Sequence, residues 1–299
     1  MNKGILAGIG AYTLWGLFPI YWKLLEGVPA GEILAHRMVW SLAFVAILLT
    51  LQKDWGWLGG AIRTRKTLLV YTLAAILLSF NWFTYIWAVN AGYVVEASLG
   101  YFINPLINFL LGVIFLREKL RGGQVAAVVL AGLGVVYLTI NYGSLPWISL
   151  VLALTFGTYG LIKKTARLES MHGFSLETMV LFLPALGYLL LRQSAGEGAF
   201  LNQGTATTLL LILAGPVTSI PLLLFGFSAR RVPLSMLGFI QYIAPTLQFL
   251  LGVFVYQEPF PPARLVGFSI IWAALLVYTL EGVFHSRRQK SSRALIDPL

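Results

Sequence analysis

PLINFLLGVIFLRE at residues 105–118 is written a second time, with conservative changes, as PTLQFLLGVFVYQE at 245–258. A repeat of this kind fixes the architecture, so it comes before any search for a site. Leu99 and Gly100 return as Leu237 and Gly238, two residues earlier than the same offset requires, so the second copy carries an insertion before its proline. Upstream, Trp15, Gly16 and Leu17 meet Tyr159, Gly160 and Leu161, and Glu32 meets Glu177. The duplication covers about 140 residues per copy, which is most of the chain.

The copies are apolar. The chain is 58% apolar and 11% charged, whereas a soluble globular chain carries about 25% charged residues. Helix-length apolar runs recur from Ile5 to the last turn before Glu281, and a bilayer core asks for about 20 apolar residues per helix. The pattern predicts an all-α integral membrane protein with ten transmembrane helices over 4–22, 32–51, 68–90, 96–116, 123–141, 146–163, 175–191, 206–228, 234–256 and 264–283. The organisation expected is a first five-helix repeat over 1–145, a second over 146–285 and a basic tail over 286–299. Five is an odd number, so the second copy enters the membrane in the opposite sense and the repeats are inverted. Glu118 and its counterpart Glu258 then face opposite sides. Inverted repeats recur in secondary transporters, where two similar halves exchange conformations around a central site. Architecture alone does not prove function.

Charge sets the orientation. With the amino terminus inside, only Lys23, Arg192 and Arg264 fall on the outer face, and Arg37 remains inside the second helix. The other basic residues gather on one side, as the positive-inside rule requires, so both termini are expected in the cytoplasm. The net charge of +10 is explained by these loops and not by a nucleic-acid partner, because no basic face exists. The first run follows Lys3 without a small-x-small cleavage site and reads as a retained helix. The absence of cysteine removes disulfides, thiolate metal sites and a thiol nucleophile. No metal, cofactor or ATP is implied: there is no Walker motif, GxSxG or HExxH.

Polar groups are expensive in hydrocarbon, so those within helices are the candidates for a pore or site. Asn81 and Tyr85 share a face of the third helix, with Trp82 at a neighbouring angle. The repeat pairs Asn81 with Ser219, inside GPVTSIP at 215–221, where Pro216 and Pro221 are expected to break the eighth helix. Pro105 and Pro245 stand at matched positions in helices four and nine and are expected to break them likewise. Tyr101, Asn104 and Asn108 follow i, i+3, i+7 spacing, and Gln241, Tyr242 and Gln248 stand against them, with Asn108 matched to Gln248. The alternative for these residues is hydrogen bonding that only holds helices together. His36 and Arg37 lie near the outer end of helix two, either facing cargo or, for Arg37, snorkelling to headgroups. Trp15, Trp82 and other deep tryptophans either stack on cargo or pack helices. Trp55, Trp57 and Trp147 read as interfacial anchors. No Asp or Glu falls in the central third of any predicted helix, so either coupling uses Glu32, His36 or Glu96 near the outer face or transport is passive uniport or exchange, and the passive reading is favoured.

Five segments in order, YTLWGLFPIYWK at 12–23, EILAHR at 32–37, SFNWFTYIWAVN at 79–90, EASLGYFINPLINFLLG at 96–112 and LGFIQYIAPTLQFLLG at 237–252, resemble the EamA-type drug/metabolite transporter superfamily and its RarD branch. The resemblance implies a ten-helix permease of the bacterial inner membrane, with a central cavity for a small organic metabolite or amphipathic drug-like molecule. A lipid flippase or scramblase of the same architecture is the alternative. The expected partners are that substrate and the bilayer, and monomer and homodimer both stay open.

Overall fold

The computed structural model describes residues 3–117, 122–142, 144–229, 231–232 and 240–296, and every regular element among them is helical. The chain enters through α1 (Lys3–Gly16) and α2 (Phe18–Lys23). These are one apolar segment bent at Leu17, because Pro19 in the first turn of α2 has no N–H to continue the ladder. There follow α3 (Ala30–Leu51), the short α4 (Gly56–Arg63), α5 (Arg65–Asn90), α6 (Val94–Leu116) and α7 (Gly122–Tyr142). The second half holds α8 (Trp147–Thr165), α9 (Ser170–Ser194), α10 (Thr205–Ala229), α11 (Ile243–Leu250) with a π-helical turn at Leu251–Val255, and α12 (Pro262–Ile296).

Among the described residues eight helical spans are long and apolar enough to cross a membrane, with α1 and α2 taken together. The expected sixth and ninth spans appear as shorter apolar helices, Trp147–Lys163 and Ile243–Val255. Residues 233–239, where the ninth span was expected to begin, and Glu118 lie outside the described residues. The last helix runs on to Ile296, so the basic tail expected from 286 continues helix α12.

The helices sort their faces inside out. On α5, Leu69, Leu73, Ile76 and Phe80 form a stripe at helical spacing that is more than half exposed at every position, while Ala74, Leu78, Asn81 and Tyr85 are buried. In water such a stripe would be a liability; in hydrocarbon it is the solvated surface. The buried faces pair α6 with α8, α7 with α12, and α5 with α8, while α3 lies between α9 and α10 and α1 packs on α10 and α11.

Small residues set the closest approaches. A Cβ on Gly215 of α10 would stand 2.3 Å from the backbone carbon of Trp40 on α3, and one on Gly252 would meet Val95 at 2.6 Å. Gly132 of α7, by contrast, has open space around it.

Two expectations about the prolines are corrected. Helix α10 passes unbroken through Pro216 and Pro221, and α6 through Pro105. Each proline removes a single ladder bond, and the flanking turns stay bonded. Pro245 alone of the four sits in the first turn of its helix, where its missing N–H costs nothing.

Polar contacts stitch the bundle at both ends. At the end where α3 and α6 begin, the Glu258 carboxylate accepts the backbone N–H groups of Val94 and Val95 at 2.6 and 2.8 Å. Glu32 accepts from the N–H of Ala199 at 2.6 Å, and Glu96 from that of Ile148 at 3.3 Å. The Glu258 carboxyl lies beyond the helical turn that precedes it; burial pushes it above the usual carboxylate range, and the two amides pull it back. At the other end, Lys163 and Glu177 form an ion pair at 2.7 Å, Tyr159 donates to the same carboxylate, and His172 meets Asp54 at 2.7 Å with Trp57 stacked on its ring.

Candidate functional site

Arg37 is the centre of the bundle's polar interior. Two turns into α3, its side chain is 2% exposed, so it does not snorkel to the surface. Its Nε donates to Thr218 Oγ1 on α10 at 2.6 Å. Its guanidinium lies over the Trp82 ring of α5, with Cζ 3.6 Å from the ring centroid. Phe18 and Trp22 of α2 stand 5.7 and 5.1 Å away. Tyr85 of α5 and Tyr101 of α6 complete the surround, with ring centroids 5.6 Å apart in an edge-on contact.

These side chains converge because each helix turns a different face inward. Trp82 and Tyr85 fall on the buried side of α5, opposite the lipid stripe. Pro19 bends the first segment so that Phe18 and Trp22 enter the core. The close approach at Gly215 brings α10 against α3 and sets Thr218, one turn further on, within reach of Arg37.

Several hydrogen-bonding atoms here have no protein partner among the described residues. They include Arg37 Nη1, Tyr85 Oη and Trp22 Nε1, all buried. Buried polar groups are paired in the great majority of cases, so this cluster of orphans is the candidate site.

Asn81 belongs to the framework. Its Nδ2 donates to the Leu152 carbonyl at 3.0 Å and to Thr155 Oγ1 at 2.9 Å, which ties α5 to α8; the Tyr101 hydroxyl reaches its Oδ1 only at 3.5 Å. Ser219 is also engaged within the fold, donating to the Gly215 carbonyl of its own helix. The Thr218 beside it, which sequence reasoning passed over, is the residue that meets Arg37. Trp22 and Phe18 were missed as well. Their signal was Pro19, whose bend decides which way the aromatics of α2 point.

The other expected residues are dispersed. His36 turns away from Arg37: its Nδ1 accepts from Trp40 Nε1 at 3.3 Å and its ring lies 5.0 Å from that of Phe200. Trp15 packs on Tyr12 and Phe225, and its carbonyl accepts from Gln248 Nε2 at 3.1 Å. Asn104 is buried with its Oδ1 unpaired among the described residues. Asn108 is exposed, with its side-chain oxygen beside Gly157 and Gly160 of α8. Tyr242 stacks on Phe102, and with Trp272 and Leu275 both line a separate apolar cavity of about 300 Å³. Gln241 is half-buried on the same turn. A second cavity, of about 220 Å³, opens between Trp87, Trp147, Glu96 and Arg264 at the end where α6 begins. Among the described residues no group of three His, Cys, Asp or Glu side chains could hold a metal ion.

Comparison with known proteins gives these helices a context. Residues 2–140 match the EamA-like transporter family. The chain is 50% identical over 290 residues to Protein RarD of Streptomyces exfoliatus, covering 97% of this chain and 92% of that one. It is 48% identical over 296 residues to the uncharacterized transporter YojE of Bacillus subtilis, covering 97% and 98%. A protein of known crystal structure shares the fold with a TM-score of 0.58 at 21% identity, over 94% of this chain and 97% of that one.

Proposed function

We infer the function from one premise: the chain belongs to the EamA-like transporter family, in the company of RarD proteins, and is a multi-pass membrane transporter. We propose that it is a secondary permease of the bacterial inner membrane, with both termini cytoplasmic. It moves a small organic molecule by alternating access between two inverted halves, α1–α7 and α8–α12, that together supply ten spans.

The observation that carries this reading is the pairing of the helices. Exchanging the halves maps α1–α2 onto α8, α3 onto α9, α5 onto α10, α6 onto α11 and α7 onto α12. Under that exchange the contact of α6 with α8 becomes that of α11 with α1, and the contact of α5 with α8 becomes that of α10 with α1; both members of each pair are present. The pairs α3–α9, α6–α11 and α7–α12 map onto themselves and are also present. Two halves that meet through equivalent surfaces can trade conformations, which is what alternating access requires. The family names and the absence of GxSxG and HExxH motifs argue against an intramembrane enzyme.

The test is saturable flux of a small organic solute into liposomes, with and without a pH gradient, beside a labelled-lipid scrambling control. Saturable flux is the expected result. Lipid scrambling without solute flux would replace the permease with a scramblase. Because the chain has no cysteine, single variants Lys53→Cys and Arg264→Cys test orientation directly: an impermeant maleimide should label only the second from outside intact cells.

A further inference from the structure

We propose that Arg37 is the anchor for an organic monoanion, a carboxylate carried on a flat apolar body, and that this is the substrate class of the site. The inference rests on the permease reading and names what the permease recognises.

A guanidinium buried in a membrane bundle is costly unless it is paired, and residues of this kind face the interior opposite a partner. Arg37 has no such partner among the described residues. No carboxylate among the described residues lies within 4.0 Å of it; the ion pairs present are made by other cations. The nearest acid along α3, Glu32, accepts from Ala199 and faces Arg192 at 3.7 Å.

The neighbours leave one part of the guanidinium available. Trp82 covers a face and Thr218 takes Nε, while Nη1 makes no hydrogen bond. What remains are in-plane donors, and the planar fork of arginine matches a carboxylate there. Tyr85 Oη, one turn along α5 from Trp82, is a second buried donor without a partner among the described residues. Thus an anion's oxygens have an arginine and a tyrosine to receive them.

The rest of the surround describes the rest of the ligand. Trp82, Trp22, Phe18 and Tyr101 present aromatic rings, which favour a flat apolar body. Among the described residues no acid lies within 4.0 Å of Arg37 to hold an ammonium group beside the bound carboxylate, which favours a monoanion over a zwitterion.

The experiment uses the purified full chain. Thermal stabilisation is measured with benzoate, phenylacetate, cinnamate and 2-naphthoate, each against its neutral amide, on wild type and on Arg37→Gln, Arg37→Lys and Tyr85→Phe. At least one acid is expected to stabilise wild type with an affinity about tenfold or more above its amide, the size expected for a hydrogen bond to a charged group. Arg37→Gln should abolish the preference and Arg37→Lys keep part of it. A merely structural arginine would change the melting temperature of the unliganded protein without changing the acid-to-amide ratio. Equal affinity for acids and amides, retention of the preference in Arg37→Gln, or no stabilisation by any acid would overturn the assignment. Liposome flux separates the two levels: saturable transport of neutral solutes but not acids sinks the anion site alone, and acid binding without flux of any solute sinks the permease.

Discussion

Arg37 Nε and Thr218 Oγ1 meet at 2.6 Å across the boundary between the first and second halves of the chain. A threonine hydroxyl at this place neutralises no charge. It fixes the azimuth of the guanidinium while leaving its net positive field intact. Thr218→Val removes the acceptor and keeps the shape, so it should destabilise the protein by about 1–3 kcal/mol through an unpaired buried donor. Thr218→Ser should retain most of that stability. Unfolding in detergent micelles measures the difference, and a loss in Thr218→Ser with none in Thr218→Val would show that the methyl group, not the hydroxyl, matters.

Tyr85→Phe is expected to leave the stability of the unliganded protein unchanged within about 0.5 kcal/mol, because the hydroxyl it deletes has no partner to lose. Substrate affinity should nevertheless fall several-fold. A large drop in stability would mean that the hydroxyl is already satisfied in the folded protein.

Asn81→Ala should behave in the opposite way. It removes the bonds to Leu152 and Thr155 that join α5 to α8. At about 0.6 kcal/mol per interhelical bond in a membrane core, the loss should be near 1 kcal/mol. Thermal unfolding should register it whether or not a ligand is present.

Gly215→Ala would put a methyl 2.3 Å from the Trp40 backbone, which cannot yield as a side chain does. Overpacking of this kind costs about 1–3 kcal/mol, and it should also loosen the Arg37–Thr218 contact. Gly132→Ala, with open space around it, is the control. It should be neutral or stabilise α7 by about 0.5–1 kcal/mol. Comparable losses in both would point to helix flexibility and not to crowding as the cause.

The class of fold was legible in the sequence because apolar run length and charge scarcity are properties of segments, which no tertiary contact can reverse. Segment ends read from hydropathy at 32–51 and 206–228 fell within two residues of α3 and α10. The first segment was harder, since the bend at Leu17 comes from Pro19, and a hydropathy window does not register a proline inside an apolar run. Site residues were legible by type and less so by direction. Asn81 and Arg37 both stood out as polar groups in hydrocarbon, but the partner each has depends on which neighbour crosses at that level. Thr218 and Ser219 make the point within two residues: a rotation of about 100° along the helix sends one hydroxyl to a neighbouring helix and the other back to its own carbonyl.

Glu32, Glu96 and Glu258 close one end of the bundle by gripping the backbone amides of other segments instead of lysines or arginines alone. Water is a good substitute for an amide donor, so when this end parts each carboxylate regains hydration close in value to what it gives up. A clasp of three such grips is specific in direction, since each amide sits at one place, yet shallow in free energy. On the permease reading proposed above, this end is firmly shaped when shut and opens on thermal energy, with no separate fuel to release it.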